Sequence, residues 1–128
     1  PNTDITILEK YIKEIDLVCV MGVFPGFSGQ AFIEATYERC KAVKELINKH
    51  NSDTLIEVDG GVTLDNAKKL IECGADVLVS GSHVFKAENP KEIISKLKNV
   101  PCKRKWEPWG TVKFWGIATN IQQILFCI

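Results

Sequence analysis

The sequence is short of the features that mark several protein classes. Its formal net charge is zero, so bulk electrostatics give it no pull toward nucleic acid or an anionic membrane. No apolar run approaches the roughly 20 residues of a membrane helix; the stretch from Ile117 to Ile128 is too short and carries Asn120, Gln122 and Gln123. The first residues show no signal-peptide pattern and no initiator Met. The five cysteines (Cys19, Cys40, Cys73, Cys102 and Cys127) are odd in number and contain no C-x-x-C pair. That argues against a disulfide framework and for a reduced, cytoplasmic setting, in which buried Cys acts as a small hydrophobe. There are two histidines, His50 and His83, too few for a histidine-rich metal site.

What is present is an ordinary globular composition, 45% hydrophobic and 25% charged over 128 residues. The charge is unevenly spread. Residues 1–98 hold 12 Lys/Arg and 15 Asp/Glu, a net of −3; from residue 99 on, Lys103, Arg104, Lys105 and Lys113 stand against Glu107, a net of +3. All three tryptophans, Trp106, Trp109 and Trp115, fall in that last stretch. Two parts are expected: residues 1–99, and an unassigned tail over 100–128 in which Thr111 to Ile117 is β-prone.

Hydrophobic spacing gives the elements of the first part. Ile5, Leu8, Ile12 and Ile15 form one helical face, with Thr6 or Thr3 as its cap. Leu17 to Met21 is a continuous apolar run, suited to a strand buried on both faces. A helix is expected from about Ala31 to His50, with Ile33, Tyr37, Cys40 and Ile47 along one side. Leu55–Val58 reads as a strand, Thr63 as the cap of a helix ended by Gly74, and Val77–Val79 as a strand. Ser82 to Phe85 begins a short helix. Asn89-Pro90 caps the last one. The order αβαβαβα implies a parallel sheet, open or cut from a closed barrel.

Three Gly-rich loops each follow a strand and precede a helix: Pro25-Gly26-Phe27-Ser28-Gly29-Gln30, Asp59-Gly60-Gly61 and Gly81-Ser82. Parallel topology brings them to one end of the sheet, where active sites form. Glycine lets backbone N–H groups approach an anion, and helix N-termini add partial positive charge. A phosphate monoester is the natural ligand. Each loop alone is a common turn; three in register outweigh that reading.

The segment Val20-Met21-Gly22-Val23-Phe24-Pro25-Gly26-Phe27-Ser28-Gly29-Gln30-Ala31-Phe32 resembles a signature of the ribulose-phosphate 3-epimerase family. Ile56-Glu57-Val58-Asp59-Gly60-Gly61-Val62 resembles a second, and Gly74-Ala75-Asp76 with Val79-Ser80-Gly81-Ser82 a third. Allulose-6-phosphate 3-epimerases share these motifs. The resemblance covers residues 1 to about 99. It implies part of a (β/α)8 barrel of the ribulose-phosphate-binding type, about strands six to eight, since a whole barrel takes about 250 residues. It implies inversion at C3 of a ketose phosphate, ribulose 5-phosphate to xylulose 5-phosphate, in the pentose phosphate pathway. The expected mechanism is proton transfer through an enediolate, with an acid/base on each face and a divalent metal, usually zinc. Asp59 matches an acid/base that is also a metal ligand. Met21 matches a residue packed against the intermediate. Gly26, Phe27, Ser28, Gly29, Gly60, Gly61, Gly81 and Ser82 match substrate- and phosphate-binding positions.

The family's other Asp and its two metal-binding His have no counterpart in the sequence, and Phe24 stands where a polar residue is more usual. Three readings follow: an epimerase given as a fragment inactive by itself, a non-catalytic phosphate-binding half-barrel, or a barrel with another reaction such as an aldolase. The motifs argue against the third. The expected partners are the ketose phosphate and either a second copy or an N-terminal half, with no nucleic acid and no membrane. Three parallel strands cut from a barrel leave unpaired edges, so the tail is expected to be a non-native extension that covers apolar surface. Deleting residues 101–128 should then lower solubility; a deletion variant as soluble and as folded as the full chain counts against that role.

Overall fold

The computed structural model describes residues 1–27 and 29–101, with the backbone alone of residues 125–127. Strands β1 (Leu17–Met21), β2 (Leu55–Asp59) and β3 (Val77–Val79) form a parallel sheet in the order β3-β2-β1. Helices α1 (Thr36–His50) and α2 (Leu64–Glu72) connect them; α3 (Ser82–Phe85) and α4 (Pro90–Lys98) follow β3. This is the expected α/β class, consistent with part of a barrel. The backbone of Leu125–Cys127 adds a strand, β4, parallel to β1 with Leu17 opposite Leu125. The β-prone run Thr111 to Ile117 lies outside the described residues.

Strand side chains alternate between faces, and here the alternation decides the core. Val18, Val20, Ile56 and Val58 are fully buried and cluster with Leu8 and Ile12 from the N-terminal segment, Tyr37, Cys40, Val43 and Ile47 of α1, and Leu70 of α2. Each such side chain contributes about 1.5–3 kcal/mol of hydrophobic stabilisation. A smaller cluster of Ala67, Val84 and Leu97 joins α2, α3 and α4. The opposite face is half open: in β2 the burial alternates, with Glu57 and Asp59 half-buried. Burial on both faces, expected from the apolar run in β1, therefore does not extend to β2.

Local signals account for most of the boundaries. Asn89 Oδ1 accepts from Glu92 N–H with Pro90 at the first turn of α4. Gly74 follows α2 with φ 111°, which an L side chain rarely adopts. Two expectations are corrected. The first segment is a 3-10 helix over Ile5–Lys10 whose cap is Asp4, its carboxylate accepting from Thr6 N–H at 2.9 Å; neither Thr3 nor Thr6 caps it. Helix α1 starts at Thr36, not Ala31, because Ile33 N–H donates to Gly22 O at 2.8 Å and Phe32 packs toward Gly22 and Gly61.

Side chains also lock the sheet at its N-terminal end. Thr54, buried, sets its Oγ1 2.7 Å from Ile12 O and 2.8 Å from Ile15 O, and Ser52 Oγ donates to Ile12 O at 2.8 Å. Asp76 brackets Ile56: its N–H donates to Ile56 O at 2.8 Å and its Oδ2 accepts from Ile56 N–H at 3.0 Å. The Gly-Ala-Asp motif is thus structural, starting β3 beside β2. His50, at the end of α1, lies with Lys49 against the Glu9 carboxylate, 3.3 and 2.6 Å away.

At the other end Gly22 makes the closest approach. Its N–H donates to Asp59 O at 2.6 Å, and a Cβ there would lie 2.1 Å from Gly60 O. Gly22→Ala is expected to destabilise by about 1–3 kcal/mol, read as a lower urea midpoint; a change within about 0.5 kcal/mol would contradict this packing. Burial pushes the Cys40 thiol up to about 12, with the Cys73 charge adding to the rise and Arg39 opposing it. Burial also raises Cys73. Both thiols should resist maleimide at about pH 8 in the folded protein and label once unfolded; rapid native labelling of either would refute their sequestration.

Candidate functional site

Because β1, β2 and β3 run parallel, their three following loops emerge at one end of the sheet. The register sets Met21 beside Asp59, and Asp59 beside Val79. Cys19, Met21, Glu57 and Asp59 share the half-open face. Met21 is steadied from the helical side, where the buried Thr36 Oγ1 donates to Met21 O at 3.5 Å.

Glu57 gives this face a second carboxylate, one that sequence reasoning did not single out. Burial raises its carboxyl above the usual range, the Cys19 thiol's hydrogen bond opposes that rise, and the Asp59 charge adds to it. The signal was available: a lone charge inside an apolar strand, at the same parity as Asp59.

The loops meet in a cleft of about 580 Å³ whose wall includes Gly29, Gly61, Ser82, His83 and Lys86. Of the expected binding residues, Gly29, Gly61 and Ser82 are brought together there, with Met21 and Asp59 paired on the adjoining sheet face. Gly60 serves the loops instead: with φ 100°, a Cβ on it would meet Val23 at 2.6 Å. Gly81 has open space beside it. Gly26 and Phe27 are exposed and do not line the cleft, and Ser28 lies outside the described residues. A second cavity, about 710 Å³, opens at the N-terminal ends of the strands around Asp16, His50 and Thr54 and holds none of the expected site residues.

Side-chain amides hold the loops in place. Gln30 Nε2 donates to Phe24 O and Phe27 O, both at 2.8 Å, closing the first loop on itself. Asn66 Nδ2 donates to Gly61 O at 2.9 Å, and Asn66 Oδ1 accepts from Thr63 N–H at 2.8 Å. Ser80 Oγ donates to Val62 O at 2.9 Å, tying the second loop to the end of β3. The hydrogen-bonding residues Gln30, Asn66 and Ser80 were invisible as a set in the sequence, since their partners are backbone carbonyls fixed only by the fold.

Among the described residues, no three His, Cys, Asp or Glu side chains are placed to share a metal ion. A zinc site takes three or four protein ligands, so the described residues do not by themselves fit one around Asp59. No described helix is long and apolar enough to cross a membrane.

Comparison with known proteins agrees with this geometry. The ribulose-phosphate 3 epimerase family profile matches residues 1–85. The chain is 43% identical over 100 residues to the ribulose-phosphate 3-epimerase of Helicobacter pylori, covering 78% of this chain and 46% of that protein. It is 41% identical over 99 residues to the Bacillus subtilis ribulose-phosphate 3-epimerase, covering 77% and 46%. It is 42% identical over 98 residues to the chloroplastic ribulose-5-phosphate-3-epimerase of Arabidopsis thaliana, covering 77% and 35%. The chain spans about half the length, or less, of these curated relatives. A family profile over residues 1–85, which holds all three loops, and relatives at about 40% identity place the chain in the ribulose-phosphate 3-epimerase family.

Proposed function

We propose that this chain carries one part of a ketose-phosphate 3-epimerase site: one acid/base, Asp59, and the cleft that receives the substrate phosphate. The observation that carries the reading is the β1–β2 register, which sets Met21 beside Asp59 at the end of the sheet from which the loops emerge. Strands β1, β2 and β3 then correspond to the sixth, seventh and eighth strands of a (β/α)8 barrel. The half-open face bearing Glu57 and Asp59 is its interior. The substrate is ribulose 5-phosphate, and the setting is the cytoplasmic pentose phosphate pathway.

The chemistry follows from the substrate. The C3 proton is acidified by the neighbouring C2 carbonyl, and its removal gives a planar enediolate. Asp59 takes or returns that proton on one face, and Met21 packs against the planar intermediate. Inversion requires a second acid/base on the opposite face, supplied from outside the described residues. A divalent metal would supply stabilisation of the enediolate's negative charge; Asp59 would be its one ligand among the described residues, too few to hold it alone.

The same observations support a second reading, binding without turnover. The absence of a three-ligand metal cluster among the described residues favours it for this polypeptide alone. The two are separated by incubating the purified chain with ribulose 5-phosphate and zinc, alongside Asp59→Asn. Binding without formation of xylulose 5-phosphate is the expected result, with Asp59→Asn binding within about threefold of wild type because the phosphate cleft is untouched. Turnover abolished by Asp59→Asn would show that a full site assembles, for example between copies. Turnover that survives Asp59→Asn, or no binding at all, would sink the assignment.

A further inference from the structure

The helix N-termini beside the cleft offer only part of the positive charge expected of them. Helix α3 has four residues, Ser82–Phe85, one turn of backbone and too short for a substantial macrodipole. Helix α2 is longer, but its first donors are already used. Thr63 N–H goes to Asn66 Oδ1 at 2.8 Å, and Leu64 N–H points at His83 Nε2 at 3.4 Å. That second contact turns the His83 Nε2 edge toward the start of α2.

One full charge remains on the wall. Among the described residues Lys86 lines the cleft, and no Asp or Glu does. Its ammonium reaches across to the first loop, where a Cβ on Gly29 would lie 3.2 Å from Nζ. Among the described residues Lys86 forms no ion pair, although Lys41, Lys44, Lys49, Lys69 and Lys96 each lie within 4 Å of a carboxylate. An exposed ammonium held over a glycine, between two loops and facing no carboxylate, is arranged for an anion brought by the ligand.

We propose that Lys86 is the charged contact for the substrate phosphate, bridging the loop at Gly29 and the segment after β3 when the anion binds. This rests on the phosphate-cleft reading above and adds the residue that supplies its charge. Lysine suits the role as a mobile point charge on a flexible stem, where arginine would bring a fixed fork. Since Lys86 makes no ion pair among the described residues, its removal should cost binding and not stability.

The test is titration of the full chain with inorganic phosphate by calorimetry, at low and at raised salt, for wild type, Lys86→Gln, Lys86→Arg and Lys91→Gln. Lys91 is exposed on α4 and outside the cleft wall, so its variant makes the same change in net charge elsewhere. Lys86→Gln should weaken phosphate binding about tenfold and flatten its salt dependence, with an unchanged thermal midpoint. Lys86→Arg should stay within about threefold of wild type because the charge is kept, and Lys91→Gln should match wild type. Phosphate binding that survives Lys86→Gln, or that falls equally in Lys91→Gln, overturns the role of Lys86 and leaves the cleft reading intact. No phosphate binding by wild type overturns both.

Discussion

The pairing of β1 with β2 is the constraint on which everything else hangs. Five residues of each strand are in register, Leu17 with Leu55 through Met21 with Asp59. That one alignment points Val18, Val20, Ile56 and Val58 at the helices and leaves Cys19, Met21, Glu57 and Asp59 on the other side. A slip by one residue would turn both carboxylates into the apolar core and the valines out of it. The register is therefore enforced by the cost of burying charge as much as by backbone hydrogen bonds. Gly22 and Asp76 fasten the two ends of the alignment, one beside Asp59 and the other beside Ile56.

From that register the site assembles with few further demands. The loops need no long-range partner to find one another, since parallel strands deliver them to the same end. Their shapes are then held by Gln30, Asn66 and Ser80 bonding to main-chain carbonyls, and by glycines where a side chain would collide. The result is a cleft shaped in advance of any ligand, which lowers the ordering cost of binding. The half-open face carries Glu57 beneath Asp59, and burial, with the Asp59 charge adding to it, raises the Glu57 carboxyl.

Much of this was readable from residue order alone. Asn89-Pro90, Thr63, Gly74 and the apolar run Leu17 to Met21 act through local backbone preferences, and the structure uses each as expected. The failures share a cause. Phe32 sits in what looks like a helix, but its contacts with Gly22 and Gly61 hold the chain out of helical form, and those contacts belong to the tertiary fold. Asp4 displaced Thr3 and Thr6 as a cap because the segment coils as a 3-10 helix, a choice that spacing cannot reveal. The donors of α2 looked free in the sequence because Asn66 and His83 approach them only after folding. Asp59, Gly29, Gly61 and Ser82 could be named from motifs; Gln30 and Glu57 stand in the same motifs without a legible role and Lys86 stands outside them, since the significance of all three lies in their neighbours.

The hydroxyl cluster of Ser52 and Thr54 has a consequence for how such a chain tolerates change. It closes the sheet at the end remote from the cleft, holding the carbonyls of Ile12 and Ile15 against the entry to β2. Rigidity is anchored at one pole of the strands and recognition is exercised at the other. Drift in the loop residues can therefore retune the ligand without loosening the scaffold, whereas drift at Ser52 or Thr54 would erode the scaffold without touching specificity. A fold divided in this way can be sampled by mutation one pole at a time.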